Sequence, residues 1–265
     1  MTPDIKKISN ILTAAGKNIL LPAFQEQSNI RIKHDGSIVT ETDLACQHYL
    51  QRELATLSAD IDFLGEEMAE AEQVACLQSN RRFWCVDPLD GTSNFATPMP
   101  LFAISVALIE AGKPTLACIH DPIRQETFTA LRGQGSHLNG LPMSCTNNKK
   151  LTSCVGFLDF KRLNQTLATR FATQKIYRSQ RNLGTCALEW AWLAAGRAEF
   201  IIHGDEKLWD YAAGSLLAEE SGCSVSNFAH QHPFSASTLS SSILAAPPAI
   251  HTQLQPHLQT TKEVG

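Results

Sequence analysis

Apolar positions along the chain repeat with two different periods, and the change of period divides it. Near the start, Ile5, Ile8, Leu12, Ala15 and Ile19 recur at helical spacing in "TPDIKKISNILTAAGKNIL", with Thr2 placed as cap and Pro3 in the first turn. The polar loop "KHDGSIVTETD" follows, and Thr42 is placed to cap a second helix that turns Cys46, Leu50, Leu54 and Leu57 inward. Strand patterns then take over. "DFLGEE" is a short strand ending in acids, and "RRFWCVD" is a strand halted at Pro88, which has no N–H to give a ladder. "AISVALIE" and "TLACIHD" flank "AGKP" as a hairpin, and "ETFTALRGQGSHLNGLPMS" adds two strands at Gly-rich and Asn-Gly turns.

From about residue 150 strands alternate with helices. "SCVGFL" reads as strand, 161–173 as helix and "KIY" as a short strand before a helix at "GTCALEWAWLAAG". "AEFIIH" is strand, "WDYAAGSLLAEESG" a helix stopped by Gly222, and "SSILAAP" a last strand before a final helix. A meander first and α/β alternation second predict a layered α/β protein of two fused lobes, 1–147 and 148–265, with the junction near 145–150.

Composition removes several alternatives. With 43% apolar and 18% charged residues, 265 residues make a globular chain with a substantial core. No apolar run approaches the ~20 residues of a bilayer span, and the N-terminus lacks a signal-peptide layout. The net charge of −4 gives no broad basic surface for bulk nucleic-acid binding. Eight scattered cysteines with no C-x-x-C pair read as free thiols of a cytoplasmic protein, and no Cys/His cluster has zinc-ligand spacing.

Acids falling at strand ends and helix starts carry the chemistry: Asp43, Glu66, Asp87, Asp90 and Asp210. Gathered without a cation they repel, by about 4 kcal/mol for two charges ~4 Å apart at an effective dielectric near 20. In "DPLDGTS" the proline turns the chain so that Asp87, Asp90 and the Leu89 carbonyl can aim at one point. Such an all-oxygen set suits a hard cation, Mg²⁺ first. Gly91-Thr92-Ser93 then offers backbone N–H groups to an oxyanion. The plainer reading is a surface turn, since Pro-x-Asp-Gly is common turn chemistry.

Taken together, "GEE" at 65–67, "WCVDPLDGTSNF" at 84–95 and "WDYAAGSLLAEESG" at 209–222 resemble motifs of the inositol monophosphatase family of Mg²⁺-dependent, lithium-sensitive phosphatases. "KHDGSIVTETD" and "RNLGTCALEWAWLAAG" are similar to two further family segments. The resemblance implies an αβαβα sandwich, usually a homodimer, using two or three Mg²⁺ per site. It implies that Glu66, Asp87 and the Leu89 carbonyl hold one ion, and Asp87, Asp90 and Asp210 a second. Thr92, with Asp43 behind it and Glu66 nearby, is implied as the catalytic group orienting water. Gly91, Thr92, Ser93, Lys33, Gly184, Thr185 and His203 are implied as phosphate or substrate contacts.

Substrate choice falls to the second lobe, where this chain departs from its relatives. His203 stands where inositol-type members usually carry a glutamate for substrate hydroxyls; it is either a strand-end residue facing solvent or a changed substrate contact, with Asp205 and Glu206 as replacement acids. Lys161, Arg162, Arg178 and Arg181 are either solvated cations or, if they converge, a holder for a second phosphate. The sequence therefore points to hydrolysis of a small phosphorylated alcohol, inositol monophosphate first and adenosine 3′,5′-bisphosphate second, with histidinol phosphate and fructose 1,6-bisphosphate behind. The rival is a regulatory protein- or RNA-binding protein on the same fold.

Overall fold

The structure is a computed structural model that describes residues 3–26, 30–32, 38–145, 149–235 and 238–259, with 30–32 and 38–40 described by backbone alone. Helix α1 (Ile5–Ala15) runs through a π-helical turn, Gly16–Leu20, into α2 (Leu21–Glu26). Its cap is Asp4, whose Oδ1 accepts the Lys6 N–H at 2.9 Å, rather than Thr2, which lies outside the described residues. A small pair, β1 (Ile30–Ile32) and β2 (Ile38–Thr40), leads to α3 (Glu41–Leu57). Thr42 is the second residue of α3, two places past the cap position and inside the helix.

Strands β3 (Asp62–Gly65), β4 (Phe83–Asp90), β5 (Ala103–Glu110), β6 (Lys113–Asp121), β7 (Glu126–Leu131), β8 (Ser136–Leu138) and β9 (Leu141–Met143) form one sheet in that order. Helices α4 (Glu70–Gln78) and α5 (Thr92–Ala96) interrupt them. Pro88 does not halt β4. The strand bulges between Asp87 and Asp90, where the register with β5 shifts, so Pro88 sits where no ladder donor is needed.

The second sheet has the order β11-β10-β12-β14-β13. Its elements are β10 (Val155–Leu158), α6 (Gln165–Thr173), β11 (Ser179–Arg181), α7 (Cys186–Ala194), β12 (Phe200–Lys207), α8 (Leu208–Glu220), β13 (Ser224–Ser226), β14 (Ser240–Ala246) and α9 (Pro248–Leu258). Two sequence boundaries move. The strand expected at "KIY" lies at Ser179–Arg181, and the helix expected from 161 begins after Asn164, whose Oδ1 accepts the Leu167 N–H at 2.9 Å. Residues 159–164 are therefore a loop at the C-terminal end of β10.

Burial follows the strand period and makes five layers. On β5, Ala103, Ala107 and Ile109 face one core while Ile104, Val106 and Leu108 face another. The second of these packs against α1 and α3 through Ile8, Leu12, Leu50 and Leu54. The first is shared with α7 and α8, which lie between the sheets and bury Trp190, Tyr211 and Leu216. The outer face of the five-stranded sheet packs on α6 and α9 through Leu167, Phe171, Ile250 and Leu254. The architecture is the expected αβαβα sandwich. Gly214 lets α8 meet α7 closely, since a Cβ there would fall 2.3 Å from Trp190 Cβ.

Candidate active site

The β4 bulge aims Asp87 and Asp90 at the first turn of α8, where Asp210 stands. All three are buried, and one oxygen from each lies within 4.8 Å of the others. The Leu89 N–H holds Asp87 by donating to its Oδ1 at 3.0 Å. Asp90 Oδ2 accepts from Thr185 Oγ1 at 2.5 Å and from the Ala187 N–H at 2.6 Å, so α7 of one half fixes a carboxylate of the other. Glu66 is half-buried just past β3. Its N–H donates to the Val86 carbonyl at 3.1 Å, and its own carbonyl accepts from Gln73 Nε2 at 3.0 Å.

Three buried acids so close are costly as bare charges. Burial pushes the Asp87 carboxyl well above the usual range, and Glu66, Asp90 and Asp210 push it further. Asp90 is raised to about 7 by burial and then by Asp210. Asp210 is raised by burial, opposed by Arg162 and reinforced by Glu206. These acids tend to keep protons unless a cation offsets them. Their donor set, carboxylate oxygens beside a backbone carbonyl, fits a hard divalent ion.

Next to the acids, Thr92 Oγ1 lies 3.0 Å from Asp43 Oδ1 and 3.1 Å from the Leu89 carbonyl. Asp43 is fully buried. With the hydroxyl proton directed to either acceptor, the lone pairs of Thr92 stay open to accept from water. Gly91 takes φ +94°, and a Cβ there would stand 2.9 Å from the Leu101 carbonyl oxygen, so both torsion and space require glycine. Ser93 is exposed on α5, and Lys33 lies outside the described residues.

Three of the substrate contacts expected from the sequence have partners within the chain. Thr185 is buried and bonded to Asp90, supporting a carboxylate. The Gly184 N–H donates to Asn182 Oδ1 at 2.8 Å, and its φ of +69° brings it against Asn94. His203 is only 1% exposed and does not face solvent. Its Nδ1 is 2.7 Å from Glu206 Oε1, and its Nε2 is 2.9 Å from Glu189 Oε2, a contact too bent for a well-aligned hydrogen bond. Burial alone would lower the imidazole pKa, but Glu206 and Glu189 raise it to about 10. Trp190 Nε1 lies 3.1 and 3.2 Å from the two Glu206 oxygens, and Glu189 Oε1 accepts the Leu183 N–H at 2.5 Å. Asp205 is exposed and Glu206 buried, so neither offers a simple replacement acid at the mouth.

Arg162 does reach the site. Its Nη1 lies 3.2 Å from Asp210 Oδ2 and 3.4 Å from the Asp205 carbonyl. Sequence reasoning missed Asn94 and Glu189. Asn94 Nδ2 ties the Leu101 and Leu183 carbonyls at 2.8 and 2.7 Å, bracing the turn that carries Gly91. Glu189 had a signal, being the one acid in the apolar run "CALEWAWLAAG".

Known proteins show the same arrangement of chain. The Nus factor SuhB of Xylella fastidiosa is 32% identical over 229 residues, covering 80% of this chain and 81% of that one. Inositol monophosphatase 1 of Solanum lycopersicum is 32% identical over 211 residues, 77% of each chain. The Thermotoga maritima IMPase superposes with a TM-score of 0.81 at 28% identity, over 95% of this chain and 94% of that one. The model of the inositol monophosphatase family matches residues 4–263, nearly the whole sequence, and the chain therefore belongs to the inositol monophosphatase family.

Proposed function

We propose that the protein is a Mg²⁺-dependent phosphomonoesterase that releases phosphate from a small phosphorylated alcohol. The observation that carries this is the meeting of Asp87, Asp90 and Asp210 within 4.8 Å beside the Thr92–Asp43 pair. Asp87, Asp90 and Asp210 would hold the cations, with Glu66 and the Leu89 carbonyl completing the set. When bound, divalent ions supply Lewis-acid activation of water and offset charge on phosphoryl oxygens.

The chain's own residues do the rest. Thr92 Oγ1 accepts a hydrogen bond from the attacking water and sets its direction, while Asp43 fixes the hydroxyl rotor. The first N–H groups of α5 have no acceptor within their own helix and suit a phosphoryl oxygen. Thr185 and the Ala187 N–H keep Asp90 aimed into the site. No cysteine or serine nucleophile is required.

Among substrates, inositol monophosphate leads on the sequence resemblance, and adenosine 3′,5′-bisphosphate follows on the basic residues of the second half. A steady-state panel of these two with histidinol phosphate and fructose 1,6-bisphosphate tests the reading. Phosphate release that needs Mg²⁺ and stops with chelator is expected, with inhibition by Li⁺ and Ca²⁺. Release from none of them overturns it. Similarity to proteins named Nus factor SuhB favours a second reading, a regulatory binding protein. Retained regulatory binding with no turnover would select that reading. Eight free thiols support a cytoplasmic home, and we place the working unit as a homodimer on the family resemblance.

A further inference from the structure

We propose that Arg162 is a fixed counter-charge built against one cation of the site, the one Asp210 helps to hold, so that occupancy of that position follows the free Mg²⁺ concentration. This rests on the phosphatase reading and concerns the regulation of the same site. Three acids here face one base. Asp87, Asp90 and Asp210 offer oxygens within 4.8 Å of one another, and among the described residues Arg162 is the one cation in an ion pair with any of them. Its Nη1 lies 3.2 Å from Asp210 Oδ2. A side chain that merely swung near Asp210 would step aside for a metal, but Arg162 is held from several sides. Nη1 also lies 3.4 Å from the Asp205 carbonyl oxygen and 3.8 Å from Cys186 Sγ, and Nε lies 3.5 Å from Asp159 Oδ2. Asp159 in turn closes the loop on itself, its Oδ1 accepting the Lys161 N–H at 3.0 Å. The backbone beneath is fixed too, since a Cβ at Gly204 would fall 1.7 Å from the Arg162 carbonyl oxygen.

A cation taken up by Asp210 must therefore use its other oxygen or break the pair at Oδ2. Either way it meets a positive group at close range, where like charges repel strongly. A guanidinium stays charged at every working pH, so this opposition is constant. Orientation acts the other way, because Arg162 fixes one Asp210 oxygen in advance. For affinity that effect is the smaller: Asp210 is already buried in the first turn of α8, where the helix sets its direction. For turnover it counts more, since small misplacements of a reacting assembly cost rate steeply. Repulsion decides how tightly the cation binds, and the position beside Asp210 is the weaker one.

The test titrates metal-free wild type and variants with Mn²⁺, a cation suited to the same oxygen ligands, followed by its electron paramagnetic resonance and by Mg²⁺ competition. The weaker class of Mn²⁺ sites should tighten about tenfold or more in Arg162→Met, within the roughly 10–100-fold range for groups that contact a metal's ligands. Arg162→Lys keeps the charge and should stay near wild type. Lys161→Met removes an exposed, solvent-screened neighbour and should leave the affinity in place. Arg162→Gln, which can keep contacts to Asp210 and Asp205 without the charge, makes the same comparison should the methionine variant fail to fold. In phosphate release, Arg162→Met should reach half its maximum at a correspondingly lower Mg²⁺ concentration while the maximum itself falls. Mn²⁺ affinity that is unchanged or weaker without the charge overturns the proposal. So does a lysine variant that binds as tightly as the methionine one, or an absence of Mn²⁺ binding from every form. Should Mn²⁺ binding tighten as expected while no phosphate ester is turned over, the phosphatase reading fails and the counter-charge stands.

Discussion

Two buried clusters in the molecule hold their charges in opposite ways. Around β4 and α8, Asp87, Asp90 and Asp210 are gathered with burial pushing each carboxyl upward, an arrangement that waits for a cation from outside. On α7 and β12, Glu189 and Glu206 are just as buried, yet His203 stands between them as a cation from within. Among the described residues, the first cluster sets one cation, Arg162 beside Asp210, against three carboxylates. The other is structural because its compensation is covalently part of it. Arg162 stands at the border, beside Asp210 at the mouth.

Removing a charge from the first cluster should hurt function and spare the fold. Asp90→Asn can keep its carbonyl oxygen against Thr185 and Ala187 and turn its amide toward Asp87 and Asp210. Phosphate release is expected to fall roughly a hundredfold or more, the size seen when one preorganised electrostatic group is lost. The urea midpoint should stay or rise, because a like charge has gone. Full activity in the variant would refute the assignment of Asp90 to the reaction.

The same contrast explains what the sequence made legible. Asp87, Leu89, Asp90, Gly91 and Thr92 fall within one turn, so local chemistry alone draws them together. Asp43 and Asp210 needed the resemblance, since 49 residues separate Asp43 from the Thr92 hydroxyl it contacts. The αβαβα layering followed from the change of period, because alternation on β5 and helical spacing on α1 each mark a buried face. What stayed hidden depends on partners from several elements. His203 reads as a strand-end residue until Glu189 of α7 and the β12 bulge close around it. Likewise Pro88 reads as a strand terminator, because nothing local announces the bulge that accommodates it.

The internal cluster should respond in the reverse sense. His203→Ala leaves two carboxylates facing each other without a cation, and losing one partner of a buried ionic set costs about 3–5 kcal/mol. Chemical denaturation of the metal-free protein would show it, independently of any turnover. Its pH dependence has a definite sign. The imidazole is raised from 6.5 in the unfolded chain to about 10 in the fold, so its stabilisation is complete below 6.5 and fades as pH rises through about 10. Stability measured from pH 6.5 upward should therefore decline in the wild type and decline less in His203→Gln. Equal slopes would mean that the imidazole is not held as a cation.

Gly204 offers a smaller and sharper probe, because it couples the internal cluster to the mouth. It follows His203 in the bulge of β12, where the pairing with β14 shifts register before Glu206. A Cβ at 204 would fall 1.7 Å from the Arg162 carbonyl oxygen and 2.5 Å from its carbon. Both are backbone atoms, so no rotamer change relieves the clash, and the loop 159–164 must move away as a unit. Gly204→Ala is expected to cost about 1–3 kcal/mol, the range for overpacking a filled site. Because the displaced loop carries Arg162, which lies 3.2 Å from Asp210 Oδ2, phosphate release should fall along with stability. A thermal midpoint within a degree of wild type would show that the loop yields freely, and the border between the two clusters would then be set by Arg162 and Asp210 alone.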